Sequence, residues 1–313
     1  MPPIPPPLPL TDHQPLLDQQ PPLTLQQPGR LPAAPSLPAP ATNGNPLANK
    51  DEKSHKKAPL IGIDIGGTGI KGGIVDLKKG KLLGDRFRVP TPQPATPEAV
   101  AEAVALVVSE LSARPEAPAA GSPVGVTFPG IIQHGVVHSA ANVDKSWLNT
   151  DIDALLTARL GRPVEVINDA DAAGLAEARY GAGAGVAGTV MVITLGTGIG
   201  SAFIFDGKLV PNAELGHLEV DGHDAETKAS AVARERDGLS WDEYSVLLQR
   251  YFSHVEFLFS PELFIVGGGI SKRADEYLPN LKLRTPIVPA VLRNEAGIVG
   301  AAIEIALKHK LAK

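Results

Sequence analysis

Two glycine-rich turns, each preceded by an apolar segment, constrain the fold of this chain more than any other feature. The first turn, DIGGTGIK at 64–71, follows LIGI, and the second, LGTGIG at 195–200, follows TVMVI at 189–193. Glycine permits a sharp turn and a close approach to a ligand, and successive exposed N–H groups form a concavity for phosphate oxygens. One such turn is also typical of an ordinary hairpin. Two of them predict a duplicated fold that holds a phosphate chain from both sides.

Neither turn matches the common nucleotide-binding motifs. The first lacks the G-x-x-x-x-G-K-[ST] pattern, and a second strand at 70–76 follows where a G-x-G-x-x-G motif would begin a helix. A strand–turn–strand with Asp64 at the end of the first strand resembles the sugar kinase/actin/heat-shock ATPase superfamily. In that superfamily the aspartate helps to hold Mg²⁺, and the turn meets the phosphates.

The amino-terminal segment 1–58 differs in composition from the rest of the chain. It holds roughly half of the 30 prolines and shows neither a helical nor a strand period. Such a stretch cannot bury enough apolar surface to offset its chain entropy, so it is predicted to be a disordered tail. Its proline runs suit either a solvated tail or a polyproline II segment that binds a partner. It lacks the basic start and unbroken apolar core of a signal peptide.

Composition excludes several classes of protein. The absence of cysteine removes disulfides and thiolate metal sites, and no apolar run approaches the ~18 residues that span a membrane. The net charge of −5 argues against a general nucleic-acid-binding surface. We therefore expect a cytoplasmic protein with no nucleic-acid or membrane partner, and we leave open whether it is a monomer or homodimer.

The segment after the tail shows the order β-β-β-α-β-α twice, which predicts an α/β protein with two RNase H-like domains around a central cleft. The predicted domains are 59–168, completed by a carboxyl-terminal helix at 295–313, and 169–294. Strands are predicted at 60–66, 70–76, 81–88, 124–128, 164–167, 189–195, 201–206, 208–210 and 263–266. Helices are predicted at 97–112, 151–160, 169–180, 226–236, 241–257 and 295–310.

The candidate base for phosphoryl transfer to an alcohol is Asp169. Such a reaction needs a placed hydroxyl, a nearby carboxylate, and donors with Mg²⁺ around the phosphates. Asp169 lies in VINDAD at 166–171, where a strand end feeds a helix and an α/β fold exposes reactive groups. Asn168 offers a donor and an acceptor for a sugar hydroxyl. The alternative is that Asp169 only caps the helix. Asp171 is interpreted as structural.

Glu214, His217 and Glu226 supply further groups suited to the vicinal hydroxyls of a sugar. Singly, such residues are usually ordinary surface or core groups, and they become informative only beside 168–169. A competing interpretation is a metal site formed by His217, Glu219, His223 and Asp224. The lack of cysteine and the need for carboxylates in sugar binding disfavour zinc there.

These motifs together resemble the ROK family (repressors, open reading frames and kinases), and within it the actinobacterial polyphosphate glucokinases. The resemblance covers about 59–310. The segments that carry it are 64–71, 127–130, 168–174, 195–200, 214–217 and 266–271.

The resemblance implies a role for each matching residue. Asp169 would be the base toward the sugar 6-hydroxyl. Sugar hydroxyls would be held by Asn168, Glu214, His217 and Glu226. The sugar pocket would be shaped by Asn142, Thr127, Pro129 and Gly130. Phosphates would be met by Gly66, Gly67, Thr68, Lys71, Thr197 and Gly198. Asp64 would hold Mg²⁺, directly or through water, and adenosine would lie against Gly267, Gly268 and Gly269.

Two departures from the family pattern stand out. The zinc-binding cysteine cluster of many ROK kinases is missing, and 217–226 takes its place, as in polyphosphate-using members. The Thr-Pro-Thr-Pro motif common in polyphosphate glucokinases appears as TPQP at 91–94, which weakens the inference about donor preference slightly.

The resemblance implies a glucokinase that transfers a phosphoryl group from polyphosphate, ATP or both to the 6-hydroxyl of glucose, with mannose as a further candidate acceptor. Mg²⁺ is the expected cofactor, without zinc. Alternatives are a sugar-sensing repressor, for which 1–58 is too proline-rich to form a helix-turn-helix, an ATP-only hexokinase, and a non-sugar ATPase. The sequence ranks neither the donors nor the acceptors. Candidate polyphosphate contacts are Lys78, Lys79, Lys81, Arg86, Arg88 and Lys145.

Overall fold

The computed structural model describes residues 58–140 and 143–311. The predicted tail, apart from Ala58, lies outside the described residues, and so does Asn142. The strands are β1 Leu60–Gly66, β2 Gly69–Asp76, β3 Lys81–Val89, β4 Val124–Phe128, β5 Ile132–Gln133, β6 Val136–Val137, β7 Val164–Asn168, β8 Thr189–Leu195, β9 Ile199–Phe205, β10 Lys208–Val210, β11 Glu219–Val220, β12 His223–Asp224, β13 Leu263–Gly267 and β14 Ile287–Pro289. The α-helices are α1 Pro97–Ser112, α2 Ile152–Leu160, α3 Asp169–Tyr180, α4 Glu226–Ala229, α5 Ala231–Arg236, α6 Trp241–Phe259 and α7 Ala296–Lys308.

Two five-stranded sheets within the described residues share one plan. Their strand orders are β3-β2-β1-β4-β7 and β10-β9-β8-β13-β14. Each sheet contains an antiparallel meander of three strands, followed by two strands that run parallel to the first strand of the meander. Each glycine-rich turn joins the first two strands of a meander. The α/β class and the duplication predicted from these turns are therefore confirmed.

Helix α1 covers one face of the first sheet, and its sequence explains both its start and its buried side. The Thr96 hydroxyl accepts a hydrogen bond from the N–H of Ala99, and Pro97 occupies the first turn, where its missing N–H costs nothing. Val100, Val104 and other residues at helical spacing are buried against the sheet. None of the described helices has the length and apolar content needed to cross a membrane.

Helix α7 lies on the opposite face of the first sheet, and glycines allow a very close approach. A Cβ on Gly62 would lie 1.9 Å from the carbonyl oxygen of Ile298, and a Cβ on Gly125 would lie 1.9 Å from that of Ala301. Any larger residue at these positions would displace the helix. Helix α7 also packs on α3, which in turn packs on β9 of the second sheet.

The structure corrects several predicted boundaries. The helix predicted at 226–236 is two helices, because Ser230 has an extended ψ of 161° and caps α5 by accepting from the N–H of Ala233. Strands β2 and β9 begin at 69 and 199, and the last helix spans 296–308. Strand β14 was not predicted. The division into domains at 168 stays a prediction.

Candidate active site

Asp64 lies at the end of β1, where three elements fix its carboxylate. Its Oδ2 accepts from the Lys71 ammonium of β2 at 3.2 Å, and its Oδ1 accepts from the Thr127 hydroxyl of β4 at 3.0 Å. A Cβ on Gly297, in the first turn of α7, would lie only 3.2 Å from the Asp64 carboxyl carbon. Thr127, assigned to the sugar pocket by resemblance, thus contacts Asp64.

The first glycine turn is held by its carbonyl groups. The Thr91 hydroxyl donates to the Gly66 carbonyl at 2.5 Å, and the Arg88 guanidinium donates to the Thr68 carbonyl at 2.8 Å. Gly67 and Thr68 are exposed, and a Cβ on Gly67 would meet no atom within 4 Å. The turn is therefore fixed on one side and open to a ligand on the other.

Asn168 ends β7 and caps α3. Its side-chain oxygen accepts from the N–H groups of Ala170 at 2.8 Å and Asp171 at 3.0 Å, and its amide nitrogen donates to the Gly130 carbonyl at 3.1 Å. The alternative that Asp169 is the helix cap is wrong, because Asn168 occupies that position. The same bonds tie the loop after β4 to the start of α3.

Asp169 is the first residue of α3. Its side chain is exposed to solvent, yet protein atoms surround it on most sides. This partial burial and the negative charge of Asp64 raise its pKa to about 6, against the lowering effect of the Ala170 N–H. Such a carboxyl group is ionised at neutral pH, and its raised pKa makes it a stronger base than an ordinary aspartate.

The second glycine turn is tied to Glu226 at the start of α4. The Ile199 N–H donates to Glu226 Oε2 at 3.2 Å, and a Cβ on Gly198 would lie 2.3 Å from the same oxygen. A side chain at 198 would therefore push the flexible Glu226 carboxylate away from the turn. Thr197, at the tip of the turn, is exposed.

Glu214 and His217 stand beside Glu226 on the segment after β10. Burial raises the pKa of Glu214, against the lowering effect of His217. A 2.8 Å hydrogen bond between His217 Nδ1 and Asp224 Oδ2 raises the pKa of the imidazole. Ligand atoms of His217, Asp224 and Glu226 lie within 4.8 Å of one another, an arrangement able to hold a metal ion. The absence of zinc stays a prediction.

The glycine segment after β13 packs against the second turn. Gly268 has φ of +80°, and a Cβ there would lie 2.2 Å from the Leu195 carbonyl oxygen. The Ser271 hydroxyl donates to the Gly268 carbonyl at 2.8 Å. Gly267 is buried, whereas Gly268 and Gly269 are exposed. Backbone without side chains is therefore accessible to a ligand just after the carboxyl end of β13.

Comparisons with known proteins place this geometry in one family. A model of the ROK family matches residues 60–231. The chain belongs to the ROK family. A polyphosphate glucokinase from Mycobacterium tuberculosis is 52% identical over 78% of this chain and 89% of its own. The crystal structure of an inorganic polyphosphate/ATP-glucomannokinase from Arthrobacter sp. strain KM is 97% identical and superimposes with a TM-score of 0.78, covering 80% of this chain and all of that one.

A solved ROK glucokinase from Streptomyces griseus, in complex with glucose and AMPPNP, is more distant. It is 28% identical, with a TM-score of 0.67 over 79% of this chain and 99% of its own. The two glycine-rich meanders described above are thus part of a ROK fold.

Asn212 is a residue of this ROK protein that the sequence analysis missed. Its side-chain amide forms two hydrogen bonds with the backbone of Ile132. The amide nitrogen donates to the carbonyl at 2.8 Å, and the amide oxygen accepts from the N–H at 3.0 Å. Its own N–H donates to the buried Asp171 at 2.7 Å. Burial raises the pKa of Asp171 to about 7. These hydrogen bonds join the segment that carries Glu214 to the β5–β6 hairpin. They also support the interpretation of Asp171 as a structural residue.

Proposed function

We propose that this chain is a glucokinase that transfers a phosphoryl group from inorganic polyphosphate or ATP to the 6-hydroxyl of glucose, and that it also accepts mannose. The observation that carries the proposal is Asp169, a carboxylate of raised pKa that lies near Asp64. The names of the relatives that match most of the chain support the choice of donors and acceptors.

Asp169 acts as the general base in this proposal. Its carboxylate accepts the proton of the sugar hydroxyl as the oxygen attacks the terminal phosphorus of the donor. The bond from that phosphorus to the bridging oxygen breaks, which leaves ADP or a polyphosphate shorter by one unit. Asp169 is fixed for this task because Asn168 caps the helix beneath it.

The remaining hydroxyls of the sugar are assigned to Asn168, Glu214, His217 and Glu226. Carboxylates accept hydrogen bonds from hydroxyl groups, and the imidazole of His217 is already oriented by Asp224. Asn142, Pro129 and Gly130 would shape the pocket. Because these groups are committed to the sugar, the proposal includes no zinc.

Asp64 is the residue that would hold Mg²⁺. Magnesium is bound by one or two carboxylates together with waters and substrate phosphates, and Asp64 offers a partly buried carboxylate, 19% exposed, beside the first turn. The ion would supply positive charge to the transferred phosphoryl group. Lys71 and the turns at 66–68 and 197–198 would contact the phosphates. The exposed segment Gly268–Gly269 would lie against adenosine.

Coupled assays of the purified protein test the proposed function. Each donor, ATP or polyphosphate, is paired with each acceptor, glucose or mannose, and sugar phosphate is measured. We expect turnover in all four pairs. ATP hydrolysis that does not depend on sugar would instead favour a non-sugar ATPase. Specific DNA binding without sugar phosphorylation would favour the repressor.

The rate should depend on pH through Asp169. The base must be ionised, so kcat/KM for glucose should fall about tenfold for each pH unit below its pKa of about 6. An unperturbed aspartate would show this loss only near pH 4. Initial rates from pH 4.5 to 8 at constant ionic strength measure the effect, with the coupling enzymes in excess. A profile that stays flat down to pH 5 would contradict the assignment.

A further inference from the structure

A cavity of about 730 Å³ lies between β3 and the segment that precedes α7. Its volume is within the ~300–1,000 Å³ typical of ligand sites. Its charged lining consists of Lys81, Arg86 and Arg293 together with Asp85 and Glu295. Of these residues, Lys81 and Arg86 were named above as candidate polyphosphate contacts, and the other three have no role in the proposed reaction.

The three cations of this cavity are not neutralised by direct contacts. The side chains of Lys81, Arg86 and Arg293 form no hydrogen bond or ion pair with the rest of the described residues. Arg293 also has φ of +47°, a strained conformation for a residue with a side chain, and such strain tends to cluster at functional sites. Unpaired cations that converge on a concave surface attract an anion.

Both walls of the cavity lead to the candidate phosphate site. On one wall, Arg88 follows Arg86 by two residues, about 7 Å along a strand, and donates to the Thr68 carbonyl of the first turn. On the other wall, Gly297 follows Glu295 by two residues, and a Cβ on Gly297 would lie 3.2 Å from the Asp64 carboxyl carbon. Each wall is therefore two residues along the chain from a residue that lies against the candidate phosphate site.

The far wall is firmly anchored. The N–H of Leu292 donates to the buried carboxylate of Glu177 in α3 at 2.7 Å, and the second oxygen of the same carboxylate accepts from the N–H of Ala182 at 2.9 Å. The backbone beside Arg293 is thus anchored, and Arg293 and Arg86 line the same cavity.

We propose that this cavity is a subsite for the phosphate units of polyphosphate that lie beyond the transferred one. The proposal rests on the proposed function. ATP carries too few phosphates to occupy it, and its adenosine is assigned to the segment at 267–269. Of the basic residues suggested by the sequence, Lys81 and Arg86 line the cavity and Arg88 adjoins it, while Lys78, Lys79 and Lys145 do not line it.

The test compares long-chain polyphosphate with ATP in an Arg86→Gln, Arg293→Gln double variant. Each exposed ion contact is worth about a 2–5-fold change in affinity. We therefore expect the KM for polyphosphate to rise about 5–20-fold, with the KM for ATP changed less than about twofold. The KM for polyphosphate should also depend less steeply on salt, because fewer counter-ions are exchanged.

Glu295→Gln should change the KM for polyphosphate in the opposite direction. Its side chain makes no capping bond to α7, so the substitution removes mainly a negative charge from the cavity. The KM for polyphosphate should fall about 2–5-fold. Lys208→Gln, an exposed cation on β10 of the second sheet, is the matched control and should leave both KM values unchanged.

The outcomes separate this inference from the proposed function. If the natural protein does not use polyphosphate, the proposed donor is wrong. If it does, and the double variant keeps the natural KM for polyphosphate, the subsite is wrong. Equal rises in KM for both donors would also overturn it, because the cations would then act at the transferred phosphate or in folding.

Discussion

Asp169→Asn is expected to lower kcat by about 10²–10⁴ with either donor, the usual scale for loss of a general base. The amide keeps the shape of the side chain, and an N–H can still contact a sugar hydroxyl, so the KM for glucose should change little. Initial rates at saturating glucose, with ATP and with polyphosphate, measure the loss. If the variant keeps more than about a tenth of the natural activity, the assignment of the base is wrong.

The stability of this variant distinguishes a lost base from a damaged fold. The folded-state pKa of Asp169 is raised, so its ionised form at neutral pH is unfavourable in the folded protein. Removing that charge should leave Tm unchanged or raise it at pH 7. Asp275→Asn, at an exposed carboxylate with no role in the proposed reaction, is the control and should preserve both activity and Tm.

Local patterns predicted the elements that organise the site. The apolar segments before the two glycine turns predicted β1 and β8. The pair Asn168-Asp169 after an apolar segment predicted the junction of β7 and α3. These features depend on backbone geometry within a few residues, where glycine and cap preferences are strong.

Contacts between distant residues were not predictable from the sequence. Nothing in the sequence around Asn212 indicates that its side-chain amide forms hydrogen bonds with Ile132, 80 residues earlier. Arg293 joins Arg86 only because α7 returns to the first sheet, so a search for basic residues near the first turn missed it. The break at Ser230 interrupts a segment with good helix formers on both sides, where the serine cap overrides propensity.

Asp64→Asn should lower kcat by about 10²–10³ with both donors, because a metal ion contributes several kcal/mol to the stabilisation of phosphoryl charge. Loss of this carboxylate should also raise the Mg²⁺ concentration needed for half-maximal rate. ATP and polyphosphate should be affected alike, since the proposed function places Asp64 beside the transferred phosphate of either donor. Titration of Mg²⁺ at saturating donor and glucose measures both quantities.

The same variant should move the pH profile, and this effect separates electrostatics from folding. The negative charge of Asp64 raises the pKa of Asp169, so its removal should shift the acid limb of kcat/KM to lower pH. Thr127→Val, which removes the 3.0 Å hydrogen bond to Asp64 but keeps the charge, is the control and should leave the limb in place. A limb that stays near pH 6 in Asp64→Asn would mean that burial, and not the charge of Asp64, sets the pKa of Asp169 in the working enzyme. A limb shifted to lower pH, together with a higher Mg²⁺ requirement, would support both assignments. Asp169 would then act on the sugar hydroxyl, and Asp64 would hold the Mg²⁺ at the transferred phosphate.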